Sequence, residues 1–342
     1  MSLTNSRRRA VAATALLGSL ALAVPALTTT ATAAPAAKAG PVDRISGADR
    51  YEVSAAISRL NFDPNVDVAY VASGEVFTDA LTGAPVAGKG GSPVLLTRSD
   101  VLPQVIADEL TRLAPKKIVV FGGTNSVTGA VTNALKKIQP NLERVAAPTR
   151  YSTSAKISSL NYAVGPDTTF VASGEVYTDA LSGAPVAGKT PGPLVLIEKD
   201  NVPGVVKKEL ARLASKRIVV LGGENTIDAD TYSFLTRYTS GAIERWAGAD
   251  RFATSAEVSK RSYAPGVHTV YVASGRTFPD ALSGASVAGK NGNPVLLVDT
   301  NSIPATIGAE LDRLNPRQII ILGGPASVSS AVEAQLAQYI TG

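Results

Sequence analysis

The feature that most constrains this chain is that it says nearly the same thing three times. Val71-Ala-Ser-Gly-Glu returns as Val171-Ala-Ser-Gly-Glu and Val272-Ala-Ser-Gly-Arg. Across 71–89, 171–189 and 272–290, 13 of 19 aligned positions are identical in all three copies. The flanking signals keep step: Arg44/Arg50, Arg144/Arg150 and Arg245/Arg251 before the motif, then Leu102-Pro103, Val202-Pro203 and Ile303-Pro304, then Gly122-Gly123, Gly222-Gly223 and Gly323-Gly324. A fixed period of about one small domain marks a tandem array. The repeat units span 44–143, 144–244 and 245–342, with no Pro- or Ser-rich linker between them.

The residues ahead of the array read as an address. Arg7-Arg8-Arg9 precede an uncharged apolar run from Ala10 to Val24, and Ala31-Thr32-Ala33 supplies a small-x-small cleavage pattern. The expectation is a signal peptide over 1–33 and a linker over 34–43, hence a secreted protein. The apolar run is short for a membrane span. The formal net charge of +5 falls to +2 when the three leader arginines are removed, which argues against bulk capture of nucleic acid. The chain has no Cys, which removes disulfides, thiolate nucleophiles and Cys-ligated metals together. With His268 as its only imidazole, a multi-His metal site is excluded and a Ser-His-Asp triad has one candidate. The reading calls for no cofactor, no metal and no catalytic residue.

Within one unit the hydrophobic periods alternate. Val68–Ala72 and Ile118–Phe121 are short apolar, β-branched runs that suit buried strands, as does the segment 93–97. Thr78–Lys89 reads as an Ala- and Gly-rich helix, and a helix follows Pro103, whose missing N–H is harmless at a helix start. Further helices are expected over about 49–60 and 128–138, the latter capped by Thr128, Asp228 and Ser329 in the three copies. Strands alternating with helices at this spacing predict an α/β fold with a mostly parallel sheet. The strand ends at Ser73-Gly74, Thr97 and Gly122-Gly123 then line the edge at which such sheets bind ligands.

The motifs Arg44-Ile-Ser-Gly-Ala-Asp-Arg-Tyr, Val71-Ala-Ser-Gly-Glu-x-Phe-x-Asp-Ala-Leu, Pro93-Val-Leu-Leu and Ile118-Val-Val-Phe-Gly-Gly resemble the cell wall-binding repeat 2 family, in all three copies. The resemblance implies three Rossmann-like modules packed as a pseudo-threefold trimer, monomeric as a chain. It also implies a surface protein of Gram-positive cells, held noncovalently on an anionic secondary wall polymer of teichoic-acid type. The polymer would lie in clefts between modules, bordered by the Pro-Val-Leu-Leu strands. Members of the family usually carry an effector domain beside the array; the expectation from this sequence is the array alone.

Two kinds of residue stand out as ligand candidates. In Ser73-Gly74, Ser173-Gly174 and Ser274-Gly275, backbone N–H groups and a hydroxyl at a strand-to-helix turn suit an anion; a tight turn that needs Gly is the alternative. Arg44, Arg50, Arg144, Arg150, Arg245 and Arg251 offer guanidinium forks for phosphate or carboxylate, against structural ion pairing as the rival. Asp79, Asp179 and Asp280 fall in the first turn of a helix, where the dipole favours an acid, with ligand contact as the alternative. Glu75 and Glu175 give way to Arg276, so no mechanism needs that carboxylate in every unit. Trp246, in place of Ile45 and Val145, reads as packing. The functional expectation is a non-catalytic wall-binding protein that gains avidity from three weak sites. A wall hydrolase of amidase type, or a regulator of one, is the second reading, and a small-ligand binder the third.

Overall fold

The computed structural model describes residues 42–340; the leader and most of the linker expected from the sequence lie outside the described residues. The chain alternates strand and helix throughout. The first stretch runs β1 (Val42–Ile45), α1 (Arg50–Asn61), β2 (Val68–Ser73), α2 (Phe77–Lys89), β3 (Val94–Thr97), α3 (Gln104–Leu113), β4 (Lys117–Phe121) and α4 (Gly129–Ile138). The second runs β5 (Leu142–Val145), α5 (Arg150–Asn161), β6 (Thr169–Ser173), α6 (Thr178–Lys189), β7 (Leu194–Ile197), α7 (Gly204–Leu213), β8 (Arg217–Leu221) and α8 (Ala229–Leu235). The third runs β9 (Ala242–Trp246), α9 (Arg251–Ser262), β10 (Thr269–Ser274), α10 (Pro279–Asn291), β11 (Val295–Val298), α11 (Ala305–Leu314), β12 (Gln318–Leu322) and α12 (Ser330–Leu336).

These strands form three parallel sheets of four, ordered β3-β2-β4-β5, β7-β6-β8-β9 and β11-β10-β12-β1. The sequence repeat and the sheet are therefore out of phase. The strand that opens each repeat completes the sheet of the repeat before it, and β1 completes the sheet of the third. Val42–Ile45 pairs in parallel with Ile319–Leu322, and the Gly323 N–H donates to the Ile45 carbonyl at 2.9 Å. This pairing closes the array into a ring. The helix after each opening strand crosses to the next module: α1 packs on β3 and α3, α5 on β7 and α7, α9 on β11 and α11.

The strands β1, β5 and β9 escaped the sequence reading because Asp43-Arg44 and Glu143-Arg144 break their apolar pattern. They are edge strands, with one row of backbone groups facing away from the sheet, and tolerate such charges.

Helices α2, α6 and α10 pack against one another around the pseudo-threefold axis. Their Ala- and Gly-rich composition is what permits this. At one end, the Gly88, Gly188 and Gly289 backbones meet so closely that a Cβ on Gly188 would lie 3.4 Å from the Gly289 Cα and 3.5 Å from the Gly88 Cα. At the other end, Phe77, Tyr177 and Phe278 close a triangle with ring centroids 5.5–6.0 Å apart. Each central helix also reaches the next module through its last lysine. Lys89 donates to the Asn161 carbonyl at 3.0 Å, Lys189 to Ser262 at 2.9 Å and Lys290 to Asn61 at 2.9 Å. Each ammonium lies over the adjoining ring of Tyr162, Tyr263 or Phe62. A cation at a helix C-terminus meets the free carbonyls there, and the ring adds cation–π attraction.

Inside each module a buried glutamate and its arginine tie α3, α7 or α11 to α1, α5 or α9. Glu109 is gripped by Arg112 through both oxygens, at 2.7 and 2.8 Å, and accepts the Ser58 hydroxyl. Glu209 with Arg212 and Glu310 with Arg313 repeat the fork. The same arginines donate to the Phe62, Tyr162 and Tyr263 carbonyls at the ends of α1, α5 and α9.

Candidate functional site

At each junction the strand C-termini of one module face the start of the next module's first helix. Three segments meet there: the first turn of α2, α6 or α10; the loop after Gly-Gly; and the turn into α5, α9 or α1. At the first junction they enclose a cavity of about 310 Å³ lined by Asp79, Gly123–Ser126 and Ala147–Arg150. At the junction that closes the ring the cavity is about 180 Å³, lined by Gly47–Arg50, Asp280, Gly324 and Ser327. The second junction repeats the residues, with Asp179 bonded to Thr226 and set in the field of Arg251.

The structure separates the six arginines into two sets. Arg44, Arg144 and Arg245 lie on the edge strands and point behind the cleft, holding the Gly-Gly loop. Arg144 donates to the Gly122 carbonyl at 2.6 Å and to Val127 at 2.7 Å. Arg245 donates to Gly222 at 2.9 Å and Ile227 at 2.8 Å and lies over the Tyr232 ring. Arg44 donates to Gly323 at 2.7 Å and forms an ion pair with Glu333 at 2.8 Å, its side chain 11% exposed. These guanidinium groups are spent on carbonyls that the loop leaves unpaired.

Arg50, Arg150 and Arg251 form the other set. Each opens a helix beside a cleft and donates one hydrogen bond among the described residues, to the carbonyl of Gly74, Gly174 or Gly275. Among the described residues their remaining N–H groups make no hydrogen bond, although Arg50 also lies over the Phe278 ring, and each faces the cleft acid of the preceding module.

The Ser-Gly pairs are engaged internally. The Ser73 hydroxyl accepts the Glu75 N–H at 3.1 Å, as Ser173 does from Glu175 and Ser274 from Arg276. The N–H groups of Gly74, Gly174 and Gly275 each donate at 2.8 Å to the end of the neighbouring strand, at Thr97, Ile197 and Val298. A Cβ at Gly174 would meet the Tyr151 ring at 2.5 Å, so the ring of the adjoining helix demands glycine there. These pairs form the floor that carries Arg50, Arg150 and Arg251.

The residues the sequence reading undervalued are Asp79, Asp179 and Asp280. They are only 5%, 6% and 6% exposed yet sit at the base of the clefts. One oxygen, Oδ2, accepts the Ser126 hydroxyl at 3.0 Å, Thr226 at 3.2 Å or Ser327 at 2.9 Å. Burial pushes all three carboxyls above the usual range, against the pull of that hydroxyl and of the facing arginine. Gly122, Gly222 and Gly323 take φ near +100° beside them, where a Cβ would strike the carboxylate. The signal was present in the sequence. The acid recurs in all three units, and a Ser or Thr stands four residues after the first Gly of each pair.

Other expectations resolve simply. Asp228 and Ser329 cap their helices by accepting the N–H of Thr231 and Val332, whereas Thr128 makes no such side-chain bond. Trp246 is buried against Phe170. Arg276 pairs with Asp299 at 2.6 Å, a reversal of the Glu75 and Arg98 charges at the same places in the first unit. His268 precedes β10, at the sheet end away from the clefts, and bonds to Thr269. No group of three His, Cys, Asp or Glu among the described residues is placed to hold a metal, and no described helix is long and apolar enough to cross a membrane.

The family model for cell wall binding domain 2 (CWB2) matches residues 44–132, 144–232 and 245–333. The chain belongs to this family. It is similar to N-acetylmuramoyl-L-alanine amidase LytC of Bacillus subtilis (strain 168), 26% identical over 301 residues that cover 88% of this chain and 59% of the relative. It is also similar to the amidase enhancer of that organism, 28% identical over 295 residues, or 86% of this chain and 40% of the relative. The fold matches Cwp6 from Clostridium difficile with a TM-score of 0.82 at 23% identity, over 88% of this chain and 48% of that one. The CWB2 chain described here thus spans about half the length of the relatives it matches.

Proposed function

We propose that this protein is a secreted, non-catalytic wall-binding module that grips an anionic secondary wall polymer, of teichoic-acid type, in the three clefts at its module junctions. The observation that carries the reading is the recurrence, at every junction, of an arginine with uncommitted N–H groups. Arg50, Arg150 and Arg251 each engage one carbonyl and face an open cleft. Guanidinium forks match phosphate and carboxylate geometry. Three such contacts on one rigid body multiply weak affinities against a repeating chain, because each engaged site raises the effective concentration for the next. Ser73-Gly74, Ser173-Gly174 and Ser274-Gly275 act in this scheme as supports of those arginines, and Arg44, Arg144 and Arg245 as anchors of the loops opposite.

Co-sedimentation with purified walls tests the proposal. Binding is expected to disappear after acid extraction of the anionic polymers and to weaken as salt screens the contacts. Equal binding to stripped walls refutes it. Likeness to the amidase enhancer supports a second reading, regulation of wall hydrolysis. It predicts that adding the protein to an amidase digest of peptidoglycan changes the rate of peptide release, with no release by the protein alone.

A further inference from the structure

Each cleft holds a buried carboxylate that its own protein leaves half used. Oδ2 of Asp79, Asp179 and Asp280 accepts one hydroxyl, and the other oxygen accepts no hydrogen bond among the described residues. Asp79 and Asp280 line the cavities directly. A carboxylate accepts hydrogen bonds on both oxygens, so each keeps one oxygen that no described protein group fills. The chain retains the acid in all three copies. By contrast, the helix-capping acid on the opposite wall, Asp49 or Asp250, is Thr149 in the second unit. Helix capping therefore tolerates replacement within this chain where the cleft acid does not vary.

The geometry points to Asp79, Asp179 and Asp280 as acceptors for a sugar hydroxyl of the bound polymer, set beside the anion taken by Arg150, Arg251 and Arg50. This deepens the proposed wall-binding function and rests on it. Each cleft then reads two neighbouring features of one repeat, an anionic group and a free hydroxyl, so that charge alone is insufficient. A neutral hydroxyl fits better than a second cation for two reasons. The facing arginine already supplies the counter-charge of the carboxylate, and an ammonium brought against so buried a carboxylate gives up more hydration than a neutral hydroxyl does. Hydrogen bonds to charged acceptors are also the stronger kind, which suits a residue that sets specificity.

The test uses the whole chain and purified phosphate-bearing wall polymer in three forms: untreated, N-acetylated and O-acetylated. O-acetylation removes hydroxyl donors and leaves the phosphates. The native protein is expected to lose at least about tenfold in affinity on O-acetylation and nothing on N-acetylation. The D79A/D179A/D280A variant is expected to bind untreated polymer about as weakly as the native protein binds the O-acetylated form, with no further loss when both changes are combined. Because alanine leaves Ser126, Thr226 and Ser327 without their acceptor, D79N/D179N/D280N is the folding control. Its single amide oxygen still accepts the Ser126, Thr226 or Ser327 hydroxyl, so it is expected to keep the native fold; with no second acceptor oxygen for the sugar hydroxyl it is expected to bind as weakly as the alanine variant. Losses that multiply independently overturn the inference, as does abolition by N-acetylation or native-strength binding by the Asn variant. Binding indifferent to O-acetylation overturns this inference alone, whereas a native protein that binds none of the polymers overturns the wall-binding reading itself.

Discussion

Ring closure by β1 makes the third module depend on residues almost three hundred positions away, and removing the strand measures that dependence. A chain beginning at Ser46 lacks Val42–Ile45. It loses the parallel pairing to β12, including the 2.9 Å bond from the Gly323 N–H, at about 0.5–1.5 kcal/mol per hydrogen bond. It loses Ile45, 6% exposed, whose burial contributes about 1.5–3 kcal/mol. It also loses Arg44, leaving Glu333 and the Gly323 carbonyl unpaired, at about 2–3 kcal/mol for charge-assisted bonds. With that one ladder bond counted the combined loss is roughly 4–8 kcal/mol, a large part of the 5–15 kcal/mol that holds a typical domain folded. It falls on one sheet. Native-state hydrogen exchange should show the β12 amides losing protection while the equivalent strands β4 and β8 keep theirs, and the melting temperature should fall by more than about 10 °C. The exposed β12 edge should also promote association. A truncated chain that melts within about 2 °C of the intact one, with β12 still protected, would refute the reasoning.

Three further outcomes follow from the same structure. Gly188→Val should destabilise by more than about 2 kcal/mol in thermal unfolding, because a branched side chain cannot fit where the three central backbones meet. Lys189→Met should cost about 1–2 kcal/mol in denaturant unfolding, by removing the bond to the Ser262 carbonyl and the contact with the Tyr263 ring. The cleft acids set a pH dependence of definite sign: free aspartates lose their protons near pH 4, whereas burial raises Asp79, Asp179 and Asp280 in the folded state. Between those points the folded protein binds more protons, so these groups make stability fall as pH rises. The difference in stability between D79N/D179N/D280N and the native chain should therefore grow in favour of the variant as pH rises through that window, as measured by urea unfolding, and a flat difference would contradict the burial.

The strand-helix alternation was legible because it rests on local period. Val68–Ser73 and Lys117–Phe121 are apolar on both faces, and α2, α6 and α10 advertise close packing through their Ala and Gly. The positions of the arginines were legible as well, but their employment was not. Arg44 and Arg50 lie six residues apart in the same motif, and nothing local distinguishes them. Arg44 meets the Gly323 carbonyl and Glu333, some 280 residues on; Arg50 meets the Gly74 carbonyl and a cleft. The aspartates do stand in the first turns of α2, α6 and α10, as the dipole reading has them; that reading is satisfied within the helix itself, so it carries no sign of the cleft that the next module builds over them.

What the amino-acid order determined unaided was a threefold array of α/β units with a family resemblance, because repetition and short-range periodicity need no knowledge of which parts touch. Only the tertiary structure decided that each opening strand belongs to the preceding sheet, that the first strand shuts the ring, and that a half-satisfied carboxylate and a half-free guanidinium face each other at every seam. Those outcomes depend on which distant backbone carbonyls a side chain finds, and a carbonyl is the same in every residue of the sequence.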